Sequence, residues 1–261
     1  MNIFTNFKTE LGYTDVCNQY VELLLRSFQC EHNDVLSDNR ALEDFSKKHK
    51  INLKDKSGDV ETRLAQNYII NINSSFEGFL NSYKNLDGCP YDFTRKPSYE
   101  HKLSFIINNL YQSKVSDEIV LLSQVCKYYR LLRNHIIHNE KDESSELRNV
   151  KGFLFNGSES DNKAELFGSL EISQTVKQLT FDDQVLFSKA ALRLAKHIAY
   201  DTTYDLEAHF RKNQSQITKR CTKFEDEERR FNYLIRFFTN YYPISDISKY
   251  EQQIKRIPVS I

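Results

Sequence analysis

Glycine and proline are scarce in this chain, 7 and 4 of 261 residues, which counts against a sheet protein whose turns draw on both. No apolar run approaches the roughly 18 residues that a membrane-crossing helix needs. The stretch from Met1 to Tyr13 has no cationic segment leading into an apolar one, so it does not read as a secretory signal. An excess of one charge is also missing, since 36 Lys and Arg stand against 36 Asp and Glu. Binding to nucleic acid through net charge is thereby excluded, and any such contact must come from a local patch. The five cysteines, Cys17, Cys30, Cys89, Cys126 and Cys221, are odd in number, far apart and without a CxxC pair. They support neither a disulfide framework nor a zinc site, whose ligands come in close pairs, and read as reduced, mostly buried thiols. A cytoplasmic protein with no cofactor, no metal and no membrane partner is expected.

What the chain does have is helical periodicity in long segments rich in Leu, Lys, Glu and Asn, so an all-α fold is expected. Tyr13 to Cys30 reads as the first core helix, with Val16, Tyr20, Leu23, Leu24 and Phe28 at helical spacing. Arg40 to His49 predicts a short amphipathic helix around Leu42 and Phe45. Asp59 to Leu86 predicts a long one with a bend or break near Asn73-Ser74-Ser75, stopped by Asp87-Gly88-Cys89-Pro90, where glycine takes positive φ and proline cannot continue. Ser98 to Gln112 and Phe181 to Asp201 complete the regular pattern. Between Lys141 and Ser169 the period lapses into charged residues with Gly and Ser, and the apolar island Val150 to Phe155 is compatible with a small hairpin. The expected organisation is a helical domain over residues 1–205, with an insertion at about 141–175, and a helical C-terminal extension over 206–261. That extension interleaves Arg and Lys with Phe and Tyr. The pattern suits RNA, but Phe231, Leu234, Ile235 and Phe238 also have the spacing of core or dimer contacts.

The chain's one constellation with chemical character lies on the helix from Ser116 to Glu140. Ser116 is placed to cap it, and Asp117 and Glu118 suit the positive end of its dipole. At 100° per residue, Leu121, Val125, Tyr128, Tyr129, Leu132 and Ile136 share a stripe of about 100°, the width of a core-facing side. Lys127, Arg130, Arg133, Asn134 and His138 fall on the other side, leaving three cations, an amide and an imidazole for a substrate or partner. His135 points to the stripe's edge and reads as structural.

The hexad Arg133-Asn134-His135-Ile136-Ile137-His138 resembles the Rx4H signature of the HEPN superfamily, small all-helical domains found in many metal-independent ribonucleases. Its place at the end of a long helix and the polar residue after the arginine match that family. The resemblance implies an HEPN-like helical bundle, an RNA substrate and a homodimer, with Arg133, Asn134 and His138 as catalytic residues and Lys127 and Arg130 as substrate-binding ones. It also implies an abortive-infection or toxin setting, in which a regulatory or antitoxin protein is a further partner. HEPN toxins paired with a nucleotidyltransferase commonly have a tyrosine two positions after the histidine. Here that position is Glu140, which favours a stand-alone defence nuclease.

The residue chemistry is consistent with that activity. Cleavage without a metal needs a base for the 2′-hydroxyl, an acid for the leaving oxygen and positive charge at the phosphorane. An arginine supplies permanent charge in a fork that grips two oxygens, and a histidine moves protons near neutral pH. One helix provides one such histidine, so acid and base together call for a two-fold dimer. The alternative is a non-catalytic helical module that binds RNA, nucleotide or protein, in which Arg133 matters and His138 does not.

Overall fold

The computed structural model describes residues 2–51, 60–98, 100–112, 114–138, 142–156, 166–224 and 226–257. These residues form α-helices and two short 3-10 turns, with no strand among them, and the class is all-α. In chain order the helices are α1 (Ile3–Glu31), α2 (Asn33–Ser37), α3 (Asn39–Lys48), α4 (Val60–Lys84), α5 (Lys102–Tyr111), α6 (Asp117–His138) and α7 (Ser145–Asn156). There follow α8 (Phe181–Asp201), α9 (Leu206–Cys221), α10 (Glu227–Tyr241) and α11 (Glu251–Arg256). No helix among the described residues is long and apolar enough to cross a membrane. The chain divides into two compact units, one of Met1–Glu10, Ser74–Lys127 and Lys189–Ile261, the other of Leu11–Asn73 and Tyr128–Ser188.

The first unit packs Phe7 against Phe76 and Phe79, with ring centroids 6.0 and 5.0 Å away. Residues 206–261 belong to this unit. They bury Leu234, Phe238 and Tyr242, and half-bury Phe231 and Ile235. Gly88, expected to end α4 through positive φ, does not lie in that region. Its requirement is space. A Cβ there would collide with Tyr242 Oη and lie 2.8 Å from the Asp205 carbonyl, while the Gly88 carbonyl accepts from Asp205 N at 3.0 Å. Asp205 in turn caps α9 by accepting from Ala208 N at 2.8 Å.

His209 is buried beside this junction, 2.8 Å from Tyr242 Oη and ringed by Phe237, Phe238 and Tyr241. Burial pushes its pKa down, against the opposing pull of Asp87. Elsewhere in the unit Glu77 meets His101 Nε2 and Lys102 Nζ, each at 2.8 Å. Burial alone would raise the Glu77 pKa, but hydrogen bonds and charge from the two partners hold it at about 2.

The second unit departs from the periodicity in three places. α1 begins at Ile3, and the side read as its core face is turned outward: Val16, Tyr20, Leu23 and Leu24 are exposed. The reason is that two of α1's polar residues, Asp15 and Glu22, have dedicated partners on the inner side. Asp15 accepts from Gln184 Nε2 at 2.9 Å and from Ser188 Oγ at 2.5 Å. Glu22 accepts from Tyr68 Oη at 3.5 Å, and Asn18 is buried. Hydrogen-bonded polar groups can occupy an interior that periodicity reserves for apolar ones.

Secondly, α4 runs unbroken through Asn73-Ser74-Ser75, with Asn73 and Ser75 buried. Thirdly, the island at Val150 to Phe155 is part of α7 and not of a hairpin. Its buried set is Leu147, Val150 and Leu154, a helical stripe that starts before the island, and Ser144 Oγ accepts from Leu147 N at 3.2 Å at its start. All five cysteines are free, but Cys17 and Cys30 are exposed; only Cys126 and Cys221 are fully buried.

Candidate functional site

The site lies on the last three turns of α6, which aromatic residues hold in place. Tyr128 and Tyr129 are both fully buried. The Tyr128 ring meets Phe155 of α7 edge-on at 6.0 Å and its hydroxyl donates to the Ser173 carbonyl. Tyr129 stacks on Phe187 of α8 at 4.8 Å and donates to Asp183 Oδ1 at 2.8 Å. Asp183 is fully buried and also accepts from Ser173 N and Oγ and from Thr180 N, at 2.9, 2.6 and 2.9 Å. One carboxylate thus ties the 173–180 loop, the start of α8 and the middle of α6 together. The motif grows from a helix whose rotation about its own axis is fixed.

Arg133 and Asn134, the first two residues of the hexad, are half-buried. Arg133 Nη1 donates to Asn134 Oδ1 at 3.1 Å, while its Nε is buried without a hydrogen-bond partner. Among the described residues no carboxylate forms an ion pair with it. His138, the last residue of α6, is exposed. Helical geometry sets it about 140° around and about 7.5 Å along the axis from Arg133. Within one chain the two side chains therefore diverge, and the structure brings together Arg133 and Asn134 but not His138.

The substrate-binding candidates are less open than a solvated helix face would be. Arg130 is 3.5 Å from Glu146 Oε1 of α7, and Lys127 is half-buried. Sequence reasoning missed Glu146, because it lies in the segment read as insertion and only the folding of that segment into α7 brings it to Arg130. His135 is half-buried, in keeping with a structural role, and Ile136 is half-buried where the periodicity placed it in the core. Glu140 lies outside the described residues. No group of three or more His, Cys, Asp or Glu among the described residues forms a metal-binding cluster.

Comparison with protein-family models, with curated proteins and with solved structures finds no match for this chain.

Proposed function

We propose that this protein is a metal-independent endoribonuclease acting as a homodimer, in a defence or toxin role, with an HEPN-type site formed by Arg133, Asn134 and His138. The observation that carries the reading is the state of Arg133. A helix-surface arginine ordinarily pairs with a carboxylate or extends into water. Here the guanidinium is half-buried and tethered by an amide, and its buried Nε lacks a hydrogen-bond partner. A cation held in this way, with no carboxylate paired to it among the described residues, keeps its full charge for a phosphate.

The divergence of Arg133 and His138 supports the dimer. A two-fold copy sets a second His138 opposite the first, giving one imidazole to take the 2′-hydroxyl proton and one to protonate the departing 5′-oxygen. The 2′-oxygen bonds to phosphorus as the bond to the 5′-oxygen breaks. The products are a 2′,3′-cyclic phosphate and a 5′-hydroxyl, with Arg133 compensating the charge on the phosphorane.

The test is RNA cleavage by the purified chain in excess EDTA, comparing the parent with Arg133→Ala and His138→Ala at matched folding. Cleavage by the parent and loss of at least about 100-fold in both variants is expected. The competing reading, a non-catalytic binding module, draws on the lack of any partner for the His138 ring among the described residues. It gains if RNA binds through Arg133 and stays intact.

A further inference from the structure

The side of α1 that faces outward is apolar. Tyr13, Tyr20, Leu23 and Leu24 are 72%, 64%, 62% and 67% exposed, and Val16 is exposed with them. They recur at intervals of three and four residues over three turns, the spacing of a two-helix seam. The opposite side of the same stretch is turned inward, with Asn18 buried and Asp15 and Glu22 hydrogen-bonded. This helix is therefore fixed in the orientation that exposes its apolar side, and cannot roll over to bury the stripe without breaking those contacts.

We infer that this stripe is the seam of a homodimer in which α1 of one copy lies antiparallel against α1 of a second. Three features favour a second copy as the occupant. The exposed residues from Tyr13 to Leu24 include no carboxylate or cation, so the face meets itself without like-charge repulsion; the next cation, Arg26, is paired with Glu22 at 2.8 Å. Side-chain size is complementary under two-fold symmetry. With the axis at Asn18, Tyr13 of one copy faces Leu23 of the other and Val16 faces Tyr20, so each large ring meets a branched aliphatic chain. The area sets the scale: the exposed parts of these residues come to about 600 Å² per chain, so complete coverage in both copies would bury about 1,200 Å², the lower end of stable interfaces. A patch of this size stands at the upper end of what a monomer carries, and such patches are often functional. A membrane surface is less well matched, because among the described residues the exposed positions from Tyr13 to Leu24 include no cation to meet anionic lipid.

The inference does not rest on the ribonuclease reading. It concerns a different surface from the hexad, and its readout is mass. Sedimentation of the full chain across the micromolar range is expected to show self-association of the parent through this seam that Tyr20→Glu/Leu23→Glu weakens at least about 100-fold, leaving no assembly beyond any that the hexad surface itself supports. Both positions are exposed, so the variant should melt within a few degrees of the parent, which separates dissociation from unfolding. Cys17 lies beside the proposed axis and is exposed. In a Cys30→Ser background, a short bismaleimide should link two copies through Cys17 and fail to do so in the double variant. A parent that sediments as a monomer throughout, a dimer indifferent to Tyr20 and Leu23, or a parent whose stripe is taken up by lipid vesicles instead would each overturn the proposal. Cleavage assays on the same variants report separately on the nuclease reading.

Discussion

Tyr129 Oη stands 2.8 Å from Asp183 Oδ1, a hydrogen bond between two fully buried side chains that joins the motif helix to α8. A buried carboxylate is tolerated only when its lone pairs are occupied, and here Ser173 and Thr180 occupy the rest. Tyr129→Phe removes one donor and should cost about 1–2 kcal/mol. Asp183→Ala leaves the other donors unpaired in the interior and should cost about 3 kcal/mol or more. Urea denaturation of the full chain measures both. Equal losses would mean that the carboxylate is not the hub.

Gly88 supplies a prediction of a different kind, because the obstacle to a side chain there is identified. Gly88→Ala places a methyl group against Tyr242 Oη and the Asp205 carbonyl, and should destabilise by about 1–3 kcal/mol. Tyr242→Phe removes the hydroxyl, so the double variant should lose less than the two single losses combined. The coupling is measurable in a thermodynamic cycle. Strict additivity would show that the clash is with the backbone alone.

Acid should act on the first unit in two stages. Burial depresses the His209 pKa, so the unfolded chain takes up this proton first. The stability His209 contributes is complete above its ordinary pKa of about 6.5 and is lost as pH falls below that value toward the folded one. Glu77 is depressed to about 2 by His101 and Lys102 after burial is offset. Its contribution is present above about 4.5 and drains away as pH falls toward 2. Melting temperatures recorded from pH 8 to pH 3 should decline in both windows. His209→Gln should flatten the upper decline and Glu77→Gln the lower; variants that leave both slopes unchanged would rule out these groups.

How far the fold was legible in the sequence depends on what sits inside each helix. α5 and α6 have interiors dominated by Leu, Ile, Val, Phe and Tyr, and α8 one of Leu, Ile, Phe and Ala around its buried Asp183, Gln184 and Ser188, so the 3.6-residue period found the three helices and most of their buried sides. For α1 the period found the helix and assigned the wrong side, because Asp15 and Glu22 are held by Gln184, Ser188 and Tyr68, residues 46 to 173 positions away in the chain. No local window contains those partners. α7 was obscured by charged surface residues around a narrow apolar stripe. At the candidate site, Arg133, Asn134 and His138 were visible as a spacing on one helix. The Arg130–Glu146 pair and the Asp183 anchor arise only from tertiary packing and leave no trace in that spacing.

Asn134 offers the sharpest division between charge and position in the proposed chemistry. Its Oδ1 accepts from Arg133 Nη1 at 3.1 Å, and Arg133 itself is half-buried. Replacing it by alanine leaves the positive charge but releases the fork. On the ribonuclease reading, cleavage by Asn134→Ala should fall by about 10- to 100-fold, mostly in kcat, since the ground-state attraction for phosphate survives while alignment with the phosphorane is lost. Arg133→Lys also keeps the charge and loses the planar fork, so it should fall by a comparable or larger factor. Single-turnover rates and RNA binding, measured side by side, separate the two effects. If Asn134→Ala cleaves like the parent while Arg133→Ala is inactive, the amide plays no part in positioning and the arginine acts through charge alone.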